Sequence, residues 1–212
     1  MIEHILVVLI GSYLVGSIPV GYIVGRVRGV DVREYGSGKM GMTNVLRTLG
    51  GKAAIVVLLG DVCKGGIAVF LSSLISDSPE VEAIAGVAVI TGHIWPVFLR
   101  LRGGRGIATG LGTLFLIFPM TSLIVLAIFI VVVSISRYVS LGSIGAASAV
   151  IIAVPVTAIV AGSPNVHVVY GILGAALILI QHSDNMKRIL KGTERRLGQP
   201  ADSSPPKCAE AR

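Results

Sequence analysis

Residues 91–110 read TGHIWPVFLRLRGGRGIATG, and the fold turns on where this stretch is placed. His93 and the Trp95-Pro96 pair end one apolar segment. Arg100, Arg102 and Arg105 then follow among Gly103, Gly104 and Gly106, and another apolar segment starts at once. On a soluble protein this would be a basic surface loop. Between two membrane helices it is a tight cationic turn, placed where a lipid tail and a charged head group are both within reach. Residues 33–52 and 182–196 have the same character. The three stretches are expected to share one membrane face and to build one site.

Composition supports that placement. Of the 212 residues, 53% are hydrophobic and only 14% charged, with a mean hydropathy of +0.86. Soluble domains carry about 25% charge, and several apolar runs here are too long for a soluble core. The fold class expected is all-α, a polytopic integral membrane protein. The 27 glycines and the 5% aromatic content suit helices that approach through small residues. A net charge of +7 would suggest nucleic acid in a soluble chain. In a membrane chain it reports topology, because Lys and Arg collect on the side that is not translocated, and no nucleic-acid partner is expected. Cys63 and Cys208 fall in an apolar segment and in the tail, which predicts no disulfide and no cysteine metal site. The first apolar run lacks a preceding basic region and is long enough to span, so it is not read as a cleavable signal.

Apolar segments are expected at about 4–24, 53–74, 83–99, 141–160 and 166–180. Gly16, Pro19 and Gly21 soften the second half of the first. Residues 107–136 as one helix would be about 45 Å long, half again the hydrocarbon thickness. Pro119 suggests a split into 107–118 and 120–136. Charge favours the split: with seven spans, all eighteen Lys and Arg lie on the cytoplasmic side or, for Lys64, inside a helix. The acidic link 76–82 then lies outside. With six, Arg137 and the cluster Lys187, Arg188, Lys191, Arg195 and Arg196 would oppose the central arginines. The expectation is seven transmembrane helices, some short, with the N-terminus outside and the C-terminus cytoplasmic. Residues 1–198 form a single transmembrane catalytic domain and 199–212 a disordered cytoplasmic tail.

The first polar stretch supplies Gly36, Ser37, Gly38, Lys39, Gly41, Thr43, Asn44 and Arg47. Its glycines allow left-handed turns, and its hydroxyls and amides can donate to an anion, as in phosphate-cradling loops. It lacks GxxxxGK[ST] spacing, so a nucleotide P-loop is not expected. The second stretch supplies Gly103, Gly104 and Arg105, with Thr109 in the first turn of the next helix. The third supplies His182, Asn185 and Arg188, which share a face if the last helix continues through them. Arg26, Arg28, Arg100 and Arg102 are read as interface anchors, and His4 and His167 as structural. Asp61 and Lys64, one turn apart, can pair within the membrane, either for function or to fix packing. No carboxylate pair, GxSxG serine, HExxH or Cys/His cluster occurs. A covalent nucleophile, a metal and a cofactor are therefore not expected. Clustered cations suit phosphate-bearing substrates, one of them already activated.

GSGKMGMTNVLR at 36–47, HIWPVFLRLRGGRGIAT at 93–109 and QHSDNMKRILKGTERRLG at 181–198 resemble the three signature segments of the bacterial acyl-phosphate:glycerol-3-phosphate acyltransferases. GDVCKG at 60–65 resembles that family as well. The resemblance implies a small inner-membrane enzyme with its active site on the cytoplasmic face, expected as a monomer. It implies acyl transfer from acyl phosphate to the 1-hydroxyl of glycerol 3-phosphate, giving lysophosphatidic acid and phosphate. Catalytic roles are implied for Ser37, Arg47, His93, Arg105, His182 and Asn185. Substrate or phosphate binding is assigned to Gly36, Gly38, Lys39, Thr43, Asn44, Lys64, Gly103, Gly104, Arg188 and Glu194. The chain departs from the usual pattern in having Lys39 for an asparagine, Met42 for an alanine and Arg105 for a lysine. Arg105 keeps the charge and turns a point donor into a fork. His182, His93 or a substrate phosphate oxygen could take the hydroxyl proton. The rival reading is a membrane transporter of a phosphorylated metabolite, against which stand the one-sided cations and the lack of an internal repeat.

Overall fold

The computed structural model describes residues 2–199. The expected disordered tail, Gln199 apart, lies outside the described residues. Ten α-helices and two short 3-10 turns make up the described chain: α1 Ile2–Ser17, α2 Val20–Val27, α3 Met42–Leu49, α4 Gly51–Ile75, α5 Pro79–Ile94, α6 Ile107–Ile117, α7 Pro119–Ser136, α8 Val139–Ala161, α9 Asn165–Gln181 and α10 Ser183–Leu190. The architecture is all-α and polytopic. Five stretches are long and apolar enough to cross a membrane, counting Ile2–Val27 across its break, and a sixth arises if α9 and α10 form one bent span. At 11 residues α6 is about 17 Å long, short against a hydrocarbon core of about 30 Å.

The breaks follow local chemistry. Proline disfavours a helical conformation in the residue before it, and α1 stops at Ser17, two residues before Pro19. Pro119 opens α7 as its first residue, which splits residues 107–136 close to the expected point. Residues 33–52 hold more order than their polar glycine-rich composition suggests: α3 forms between Gly41 and Gly50, and Val45 and Asn44 are its buried residues. The last apolar segment ends as α9 at Gln181, close to the expected 180, and instead of continuing straight through His182 the chain bends by 53° into α10.

α5 is the central helix, with Val89, Ile90 and Ile94 fully covered. α1 lies close along it because Gly16 faces the Val89 carbonyl and Gly92 faces that of Tyr13, where any Cβ would collide. The main core joins Ile90 and Ile94 to Leu114, Phe118, Val154, Tyr170 and Ile178. A second, smaller core of Val32, Met40, Val45, Ala53 and Val57 seats the first polar stretch on α4. By contrast α7 turns Leu123, Ile130 and Ile135 outward, as a lipid-facing helix does.

Candidate active site

Asn44 organises the first polar stretch. Its Nδ2 donates to the carbonyls of Val32 (2.8 Å), Tyr35 (3.1 Å) and Lys39 (2.8 Å), and its Oδ1 accepts from the Ser37 amide (3.0 Å). A buried amide that satisfies four backbone groups fixes a loop that regular structure cannot. Gly36 (φ +60°) and Gly38 (φ +67°) supply the left-handed turns around it. The polar capacity of Asn44 is thus spent on the loop backbone, a structural duty beside the phosphate contact expected of it.

The second stretch is stitched to the end of α5. The Gly103 amide donates to the Ile94 carbonyl and that of Gly104 to the His93 carbonyl, both at 3.1 Å. Neither glycine tolerates a Cβ, because one would strike the carbonyls of His93 and Ile94 and the other the His93 imidazole. Below them His93 Nδ1 lies 3.4 Å from Asp61 Oδ1, and Lys64 Nζ lies 2.8 Å from the same oxygen. Lys64 also donates to the Ile18 carbonyl at 3.0 Å. Its ammonium is taken up by these partners and does not line the main cavity.

In the third stretch Glu194 is the hub. Asn185 Nδ2 donates to its Oε1 (2.8 Å) and Arg188 Nε to its Oε2 (2.7 Å). Burial alone would raise its pKa, but these donors hold it below the usual carboxylate range. Its carboxylate therefore orders the two residues expected to meet phosphate, and as an anion it is not itself a phosphate ligand. His182 Nδ1 lies 2.8 Å from the Ile178 carbonyl. A carbonyl only accepts, so Nδ1 carries the proton and Nε2 is left unprotonated. Arg47, from α3, reaches the Arg195 carbonyl with Nη2 (3.3 Å) and so links the first stretch to the third.

All three stretches meet at one cavity of about 500 Å³. Gly36, Ser37, Lys39, Thr43, Asn44, Arg47, His93, Arg105, His182, Asn185, Arg188 and Glu194 line it. Gly38, Gly103, Gly104 and Lys64 stand behind that lining. From this polar end the cavity runs into an apolar arm between helices, past Leu114, Phe129, Ala147, Gly174 and Ile178 towards Tyr170. The cations crowd one another. Burial and Arg188 pull the Arg105 guanidinium down to about 10, burial and Arg105 lower Lys39, and burial and Arg195 lower Arg47. An anion entering there relieves that repulsion. Among the described residues, Arg105 Nε, Asn185 Oδ1 and Thr109 Oγ1 are buried without a hydrogen-bond partner. Arg105 and Asn185 line the cavity, and of their two unpartnered atoms only Arg105 Nε can donate to an anion.

A sequence model of the family described as "Glycerol-3-phosphate acyltransferase" matches residues 6–192. The chain belongs to this family. Glycerol-3-phosphate acyltransferase 3 of Dehalococcoides mccartyi is 42% identical over 213 residues, covering 94% of this chain and 98% of its own. Glycerol-3-phosphate acyltransferase of Rubrobacter xylanophilus is 43% identical over 198 residues, covering 93% and 96%. The crystal structure of PlsY (YgiH), an integral membrane glycerol 3-phosphate acyltransferase, is similar in its glycerol 3-phosphate form with a TM-score of 0.83. It is 37% identical and covers 92% of this chain and 96% of that one. The lysophosphatidic acid form gives a TM-score of 0.80 at 36% identity.

For a member of the acyltransferase family the sequence reading leaves several lining groups out of the site, and Asp61 open between function and packing. Asp61, Ser140, Ser143, Thr193 and Arg195 all face the cavity. Ser140 and Ser143 had a readable signal, because with Ala146, Ala147 and Val150 they form one small-residue stripe on α8. Asp61 was visible as an intramembrane carboxylate, but its proximity to His93 depends on α4 and α5 packing side by side.

Proposed function

We propose that this chain transfers a fatty acyl group from acyl phosphate to the 1-hydroxyl of sn-glycerol 3-phosphate, giving lysophosphatidic acid and inorganic phosphate in the bacterial inner membrane. The observation that carries the reading is the shape of the cavity: one end cationic and built from three separate polar stretches, the other apolar and enclosed by helices. An acyl phosphate has those same two halves. Its chain fits the arm between α6, α7, α8 and α9. Its phosphate meets Ser37, Thr43 and Lys39, while Arg47, Arg105, Asn185 and Arg188 receive the phosphate of the acceptor.

In the reaction the 1-hydroxyl oxygen bonds to the acyl carbonyl carbon, the bond from that carbon to the phosphate oxygen breaks, and the hydroxyl proton leaves on the released phosphate. His182 Nε2, unprotonated and on a ring that lines the cavity, relays that proton. The arginines hold both phosphates and offset charge developing on the leaving group. All these groups come from one chain, which supports activity as a monomer within a single catalytic domain over 1–198. The test is phosphate release from palmitoyl phosphate by purified protein in detergent, with and without glycerol 3-phosphate. Release that depends on the acceptor and yields lysophosphatidic acid is expected. Folded protein that turns over nothing in detergent but moves glycerol 3-phosphate across sealed vesicles would instead make it a transporter.

Seven spans complete the reading, with the N-terminus outside and the site and C-terminus cytoplasmic. Support comes from both ends of α6 and α7. Phe118, at their joint, packs edge-on to His167, which lies 3.1 Å from Glu82 beside the acidic link. At the far end of α7 the Arg137 carbonyl accepts from the Leu197 amide (2.6 Å), and Arg137 Nη2 donates back to the Leu197 carbonyl (3.2 Å). The α6–α7 pair thus leaves the site and returns to it. Single cysteines at 77 and 162, in a background without Cys63 and Cys208, should react with an impermeant thiol reagent in intact cells. A cysteine at 137 should react only after the inner face is opened. Labelling of 137 from outside would reduce the count to six.

A further inference from the structure

We infer that Asp61 is a positioning residue for acyl transfer: through His93 it holds the Gly103–Gly104 turn that presents Arg105 to the cavity. The inference rests on the acyltransferase reading of that cavity. Asp61 and Lys64 have side chains only 3% and 6% exposed, and each ion sits in the body of α4. Burying such a pair costs several kcal/mol per ion, and well-packed apolar residues commonly serve stability as well or better. Packing alone is therefore a weak reason for charges here.

Their placement supplies a better one. Asp61 Oδ1 has Lys64 Nζ on one side at 2.8 Å and His93 Nδ1 on the other at 3.4 Å. Asp61 Oδ1 accepts no well-aligned hydrogen bond among the described residues, so it acts on the ring through charge, favouring the His93 tautomer that turns an N–H towards it, with the proton on Nδ1. That fixes the ring, and the backbone of Gly104 lies against its Nε2 edge so closely that a Cβ there would overlap it. The same turn bonds to the carbonyls of His93 and Ile94. Arg105 is the next residue, and its Nε is buried with no partner among the described residues. The path from Asp61 to Arg105 is contiguous: carboxylate, imidazole, glycine turn, guanidinium. Lys64 has a separate duty. Asp61 lines the cavity, and an uncompensated carboxylate there would repel phosphate. The ammonium of Lys64 cancels that charge and is itself tied to the Ile18 carbonyl at the α1–α2 break.

The experiment is a double-mutant cycle between Asp61→Asn and His93→Ala, read as separate KM and kcat values for glycerol 3-phosphate and palmitoyl phosphate. Asp61→Asn is expected to lower kcat/KM for glycerol 3-phosphate by about ten- to a hundredfold, as loss of positioning does, with KM for palmitoyl phosphate little changed. Adding Asp61→Asn to His93→Ala should cost little more than His93→Ala alone, because residues that act through one another are non-additive. Additive losses, or wild-type kinetics in Asp61→Asn, would overturn the inference. If Asp61→Asn fails to fold because Lys64 is left unpaired, Asp61→Asn with Lys64→Met removes both charges. That pair should melt like wild type and keep the kinetic defect. Normal kinetics, or failure to fold even then, would make the pair structural only. Acyl transfer by the wild-type protein is measured first, so a failure of the acyltransferase reading is recognised separately.

Discussion

Arg105→Ala is expected to lower kcat/KM for glycerol 3-phosphate about a hundredfold, near 3 kcal/mol, while leaving the melting temperature unchanged or slightly raised. The two halves of that expectation have one cause. Arg105 sits just before α6, its Nε is buried, and no hydrogen bond from its side chain to the described residues is present to lose. Burial, and after it the like charge of Arg188, depresses its pKa to about 10, still well above neutral pH. Folding therefore gains nothing from the guanidinium and tolerates its removal. Phosphate, by contrast, loses a fork of donors aimed at it from a partly dry cavity, where charge-assisted bonds are strongest. Arg105→Lys restores the residue usual in the family's second motif and should recover most of the rate. The measurement is steady-state kinetics beside thermal melting in detergent. A KM for glycerol 3-phosphate within about twofold of wild type in the alanine variant would remove Arg105 from the phosphate site.

How much of this was legible in the sequence depends on which forces act locally. The apolar spans end within a few residues of their expected bounds, because lipid imposes length and apolarity residue by residue. Pro119 and Pro19 mark their breaks through backbone sterics alone. The meeting of residues 36–47, 93–105 and 182–194 was legible through charge, since the side on which Lys and Arg lie is a property of composition. Roles inside the site were not. Asn44 reads as a phosphate donor until its Nδ2 is seen bonding three carbonyls of its own loop. Glu194 reads as a site acid until Asn185 and Arg188 are seen to occupy both its oxygens. The bend at His182 has no local mark, since no proline lies between 165 and 190, so whether the helix continued through Asn185 and Arg188 stayed open. The cavity-facing side of α8 and α9 was hidden for a different reason. In a membrane both lipid and core faces are apolar, so the periodicity that marks a buried face in a soluble helix is weak.

A large effect on folding is expected at Gly112. α4 and α6 approach through two reciprocal contacts: a Cβ on Gly112 would strike the Val62 carbonyl, and one on Gly65 would strike the Thr109 carbonyl. Each clash is with helical backbone, which cannot swing aside as a side chain can. Alanine at 112 must therefore push the two helices apart, and overpacking of this kind costs about 3 kcal/mol at the upper end of its usual range. For a chain of this size that lowers the melting temperature by about 6–12 °C. The consequence reaches the site, because α6 carries Leu111 and Leu114 of the cavity wall and begins two residues after Arg105. Activity should therefore fall along with stability in Gly112→Ala, unlike in Arg105→Ala, where the two separate. Gly66 is the internal control. A Cβ there meets the flexible end of Leu116 at 3.3 Å and the Gly112 carbonyl only at 3.7 Å, an ordinary contact. Gly66→Ala should melt and turn over like wild type. If Gly112→Ala did the same, α4 and α6 would not be as close as described, and the enclosed arm between the helices would lose its main support.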